Sequence, residues 1–127
     1  MAQPYVLVVD DDPAIRGLLA DALREEGYSV DLAAHGREGL EAMRLRRPST
    51  VIVDLMMPVT DGFSFIEQCH RERLSDGVPI VVISAVQDAI RRLADGPVQA
   101  IVAKPFDLDD LVRLVGRYAE RNGYVSS

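Results

Sequence analysis

Three carboxylates, Asp10, Asp11 and Asp12, directly follow the apolar run Tyr5-Val6-Leu7-Val8-Val9, and a fourth, Asp54, ends the run Val51-Ile52-Val53. A parallel sheet lines up the C-terminal ends of its strands along one edge, and ligands bind in the crevice there. Neighbouring strands that both end in aspartate gather negative charges that repel by roughly 4 kcal/mol per pair at about 4 Å and an effective dielectric of about 20. No fold gains from that repulsion, so the cluster reads as a divalent-cation site with one carboxylate as a candidate nucleophile. Ser84-Ala85 ends another apolar run, and Lys104 ends a further one before Pro105-Phe106. Four strand ends thus supply an acid pair, an acid, a hydroxyl and an amine. Phosphoryl transfer needs these parts: oxygen ligands for a hard cation, an oxygen nucleophile, and cationic and hydroxyl partners for phosphoryl oxygens. Singly, Asp12 is a helix cap, Asp54 a turn residue, Ser84 a strand-end hydroxyl and Lys104 a surface charge. Their joint occurrence favours the chemical reading.

The elements that must position these groups alternate strictly. Strands are expected at about 5–9, 29–33, 50–54, 79–84 and 100–104. The first helix starts at Pro13, with Asp12 as its cap, and Ile15, Leu18, Leu19, Ala22 and Leu23 form its buried stripe up to Gly27. The second covers Gly36–Leu45, with Leu40 and Met43 inward. The third buries Phe65, Ile66 and Cys69, a short fourth carries Ile90, Leu93 and Ala94, and the last follows Asp107 with Leu108, Leu111, Val112, Val115, Tyr118 and Ala119 in register. Strand–helix alternation of this kind implies a parallel sheet with right-handed crossovers, a doubly wound α/β domain with five strands and five helices.

The 127 residues suit one domain, and 48% hydrophobic with 27% charged residues is ordinary globular material. A net charge of −6 argues against general nucleic-acid binding. The basic group Arg44, Arg46 and Arg47 reads as a solvated helix end, and His35 and His70 as surface residues. A lone cysteine, Cys69, leaves no internal disulfide and suits a reducing cytoplasm. The N-terminus lacks signal-peptide features, and no apolar run approaches the ~18 residues of a membrane span.

The set VLVVDDD, VIVDLMMPVTDG, VVISA and AKPF resembles the receiver domain of two-component response regulators over essentially the whole chain. The resemblance implies a flavodoxin-like sheet of order 2-1-3-4-5. It implies that Asp54 accepts a phosphoryl group from a histidine kinase or histidine phosphotransfer protein. Mg²⁺ would be bound by Asp11 and Asp54, by the backbone carbonyl of Met56, and by Asp10 largely through water. Lys104 would pair with the carboxylate and then with the phosphoryl group, alongside Ser84 and Ala85, and Pro105 would follow a cis bond. The output would be a switched contact with a downstream effector protein, with a phosphorylation-dependent dimer left open. The protein would act as a switch rather than a turnover enzyme. Beyond the last helix only a short tail follows, and no output domain is expected within these residues.

Two features depart from the family pattern. Receivers usually carry Tyr or Phe three residues before the lysine, where this chain has Ile101, so a non-standard switching route is expected. Met56 and Val86, both apolar, stand where the family orients hydrolytic water, which predicts slow loss of the phosphoryl group. Three rival classes share single features. A haloacid-dehalogenase-like phosphatase would use Asp10 and Asp12 but leave Asp54 idle. A flavodoxin-like electron carrier would need a phosphate loop where this chain has carboxylates. An unphosphorylated pseudo-receiver is opposed by the intact acids and Lys104.

Overall fold

A computed structural model describes residues 5–55, 62–84 and 98–121. Five parallel strands, β1 (Tyr5–Val9), β2 (Ser29–Ala33), β3 (Thr50–Asp54), β4 (Ile80–Ser84) and β5 (Ala100–Ala103), form one sheet of order β2-β1-β3-β4-β5. The fourth starts one residue later, and the fifth ends one residue earlier, than the sequence pattern predicts. Four helices are described: α1 (Pro13–Glu25), α2 (Gly36–Leu45), α3 (Gly62–Arg71) and α4 (Leu108–Arg121). The helix expected around Ile90, Leu93 and Ala94 lies outside the described residues.

Unbroken apolar runs make β1, β3 and β4 central, because helices cover both faces of such strands. Alternate side chains feed two cores. Leu7, Val9, Val51, Val53, Ile80 and Val82 meet Met43, Phe65, Ile66 and Cys69 on the α2–α3 side. Val6, Val8, Ile52, Val81 and Ile83 meet Leu19, Ala20, Leu23, Leu111, Val112 and Val115 on the α1–α4 side. Burial also pushes the Cys69 thiol up to about 12, leaving it an inert packing group. The edge strand β2 exposes Asp31 and Leu32.

Register sets up the functional edge. Val9 lies opposite Val53, so the residue that follows β1, Asp10, falls beside Asp54. Asp54 lies opposite Ile83, and Ser84 opposite Ala103, so Ser84 and then Lys104 come one step further out on successive strands. The side chains named in the sequence therefore sit at the strand ends in one staggered row.

One local expectation is corrected, and two surface readings gain detail. Leu18 is 51% exposed, and the buried sector of α1 is Leu19, Ala20 and Leu23. The helix packs against α4 as well as the sheet, and that second neighbour turns the covered sector towards Ala20. His35 caps α2: its Nδ1 accepts from the Glu38 amide at 3.4 Å, while Glu38 Oε1 accepts from the Ala34 amide at 2.6 Å. This exchange satisfies two amides at the helix start. Arg44 in the last turn of α2, with Arg46 and Arg47 just past it, is exposed as the sequence suggests, and each of the three also has a partner. Arg44 makes two bonds to Glu72 at 2.9 and 2.6 Å, Arg46 lies 4.3 Å over the Tyr5 ring, and Arg47 donates to the Asp76 carbonyl at 2.9 Å.

Candidate functional site

Asp10 directly follows β1 with its side chain in the protein, and the whole residue is only 1% exposed. Its amide donates to the Ala33 carbonyl at 3.0 Å, which continues the ladder with β2. Its Oδ1 accepts from the Asp12 amide at 2.9 Å, and its carbonyl accepts from Arg16 Nη1 at 2.8 Å. Its Oδ2 is buried and has no hydrogen-bond partner in the structure. Burial raises the Asp10 carboxyl to about 6 against the bond from the Asp12 amide, and the negative charge of Asp54 adds to the rise.

Asp12 leaves the cluster. Its Oδ1 accepts from the amides of Ala14 and Ile15 at 2.9 and 3.4 Å, capping α1 as the sequence indicates. Asp11, reached by solvent, stays with the site. One carboxylate oxygen each from Asp10, Asp11 and Asp54 lies within 4.8 Å of the others.

Asp54 is 4% exposed, and Lys104 Nζ donates to its Oδ2 at 2.9 Å. Burial opposes the charged form of Lys104. The hydrogen bond and charge of Asp54, with Asp10 and Asp11 behind it, outweigh that and hold the ammonium above its usual pKa. The Lys104 amide donates to the Ser84 carbonyl at 3.0 Å, which ties the two strand ends together, and Ser84 itself is buried. The Lys104–Pro105 bond is cis. Ile101 lies opposite Val82 and packs, half-buried, against the core on the α2–α3 side. Met56, Ala85 and Val86 lie outside the described residues.

A hard cation fits this donor set. Mg²⁺ takes oxygen at ~2.1 Å, is held by one or two carboxylates and keeps several waters. Carboxylate oxygens grouped within 4.8 Å, one of them close by a buried oxygen without a partner, supply such ligands.

Two residues beside the site escape a reading of sequence alone. Arg16 is one; its signal is a cation in the first turn of a helix, where the dipole disfavours it. Gly62 is the other. Its amide donates to the Leu55 carbonyl at 3.0 Å, and a Cβ there would stand 2.6 Å from both the Asp54 carbonyl oxygen and Leu55 Cα. Only glycine lets α3 start this close to the end of β3. Gly62→Ala must push the backbone of Asp54 aside, and overpacking of this kind costs roughly 1–3 kcal/mol. Urea unfolding should show that loss, together with slower modification of Asp54. An unchanged midpoint would disprove the close-approach account.

Comparison with known proteins agrees with the architecture. The pattern of the response regulator receiver domain matches residues 6–116. Response regulator MprA of Mycolicibacterium vanbaalenii is 41% identical over 110 residues, 84% of this chain and 46% of that protein. Transcriptional regulatory protein PdtaR of Mycobacterium tuberculosis is 38% identical over 110 residues, 84% of this chain and 52% of that protein. The chain thus spans about half the length of the curated relatives it matches. Among solved structures, response regulator protein TrrA of Thermotoga maritima, in complex with Mg²⁺ and BeF, superposes with a TM-score of 0.81 at 30% identity, covering 91% of this chain and 98% of that one. A CheY-like receiver domain protein of Methanospirillum hungatei shares the fold, with a TM-score of 0.87 at 24% identity over 95% of this chain and 97% of that one. Sheet order, matched span and these relatives together place the chain in the response regulator receiver domain family.

Proposed function

We propose that this domain, residues 1–127 taken as one receiver unit, takes a phosphoryl group onto Asp54 from a histidine kinase or histidine phosphotransfer protein and thereby switches a contact with an effector protein. The observation that carries this reading is the grouping of Asp10, Asp11 and Asp54 oxygens within 4.8 Å, with Lys104 Nζ 2.9 Å from Asp54. Phosphoryl acceptance is the general function of the family. The −6 net charge and the family's role as a switch favour output through protein contact rather than direct binding of nucleic acid by this domain.

In the proposed step an Asp54 carboxylate oxygen forms the new bond to phosphorus. The phosphorus–nitrogen bond of a phosphohistidine breaks, and its electron pair stays on the imidazole nitrogen. Asp11 and Asp54, with the Met56 carbonyl and with Asp10 acting largely through water, would hold Mg²⁺. When bound, that ion supplies positive charge to the equatorial phosphoryl oxygens. Lys104, already pointed at Asp54, pairs with the added negative charge, and Ser84 and Ala85 provide hydroxyl and amide partners. The reaction is stoichiometric uptake by a switch, not turnover. Ile101 in the usual aromatic position favours readout by a rearrangement of other side chains.

Acetyl phosphate provides the test, because it replaces the kinase with a small acyl phosphate. Intact-mass measurement should show one added phosphoryl group with Mg²⁺ present, and none after chelation. Equal labelling in both would remove the cation from the reading, and turnover of a small phosphate ester would indicate an enzyme instead.

A further inference from the structure

Arg16 faces a local conflict. It stands in the first turn of α1, where its amide makes the opening helical bond to the Asp12 carbonyl at 3.0 Å. The positive end of a helix dipole disfavours a cation there by about 0.3–1 kcal/mol, and the acidic offset comes from the cap Asp12 rather than from within the turn. The half-buried side chain turns back, and Nη1 donates to the Asp10 carbonyl at 2.8 Å.

That bond completes a pattern around one residue. The Asp10 amide is held by Ala33, its carbonyl by Arg16 and its Oδ1 by the Asp12 amide. Only Oδ2 is uncommitted. Fixing the peptide on both sides of Cα, and one oxygen of the carboxylate, leaves the remaining oxygen a single direction. We propose that Arg16 is a positioning residue for the cation site: its guanidinium holds the turn after β1 so that the Asp10 and Asp11 carboxylates are preset for a divalent cation. This rests on the Mg²⁺ reading given above. It adds a residue that touches neither the cation nor the phosphoryl group.

Charge and positioning predict opposite signs, which makes the claim testable. Removing a cation close to an acidic cluster lowers repulsion on incoming Mg²⁺, so charge alone makes Arg16→Gln bind the ion more tightly. Loss of positioning makes it bind more weakly, by about tenfold as for other residues that orient ligands from behind. Calorimetric titration of the full chain with MgCl₂ reads this directly. Arg16→Lys, which keeps one donor and the charge, should recover most of the affinity. In the metal-free proteins, amide hydrogen exchange at Asp12 should quicken in Arg16→Gln and stay near wild type in Arg16→Lys. Magnesium affinity in Arg16→Gln equal to or above wild type overturns the proposal, as does an equal loss in both variants with an unchanged Asp12 amide. A wild-type chain that takes up no Mg²⁺ overturns the site reading itself, a result distinct from either of these.

Discussion

Asp54→Asn is expected to reduce acetyl-phosphate labelling to background while leaving the domain folded. The amide that replaces the carboxylate cannot form an acyl phosphate, so the loss is chemical rather than structural. Stability should move little, because two effects oppose each other. Lys104 loses the partner 2.9 Å away, but its side chain is 27% exposed and keeps water. In exchange, one of three crowded carboxylates becomes neutral, which relieves Asp10 of a charge that raises its pKa. A change in melting temperature within a few degrees is therefore expected alongside complete loss of the added mass. Residual labelling at the wild-type rate would mean that another residue is the acceptor.

In the metal-free protein Asp10→Asn should raise stability near neutral pH. The Asp10 carboxyl moves from an ordinary 3.8 to about 6, chiefly because burial disfavours its charged form. Between those values the folded state binds more protons than the unfolded state, so stability falls as pH rises, the reverse of a salt-bridged carboxylate. The penalty is absent below about pH 4 and complete above about pH 6. A shift of this size corresponds to roughly 2–3 kcal/mol. Removing the charge should thus raise the melting temperature by roughly 5–15 °C at pH 7.5. Wild type and variant should converge as pH falls to 4. Magnesium should stabilise wild type by binding only the folded state, and much less so the variant. Identical melting curves at pH 7.5 without metal would show that the acidic cluster carries no folding cost.

Together these outcomes describe a site whose ligands are arranged at the expense of the resting fold. Asp10→Asn is expected to give a steadier domain with a poorer cation site. Asp54→Asn is expected to keep the domain and lose the reaction.

Much of this was legible before any coordinates. Unbroken apolar runs that lead into Asp10, Asp54 and Ser84 identify strands buried on both faces, because a strand with one wet face alternates instead. Parallel topology then gathers their C-terminal ends at one edge. The family motifs supply the strand order, which periodicity cannot, since every alternating α/β order leaves the same local pattern.

Other features depend on which elements become neighbours. Leu18 and Ala20 differ in burial because α4 lies beside α1, and no period within α1 records that contact. The arginines at the end of α2 and just after it find Glu72, the Tyr5 ring and Asp76 only once α3 and β1 are in place. Gly62 matters because β3 ends within 3 Å of where its side chain would be. Sequence alone determined the strands, the four described helices and the chemical groups at one rim, since burial and the choice of residue type are local requirements. Tertiary structure alone decided the staggered register that joins Asp10 to Asp54 and the burial that leaves Asp10 Oδ2 without a partner, because these come from packing between segments far apart in the chain, whereas the clamp from Arg16 closes over only six residues.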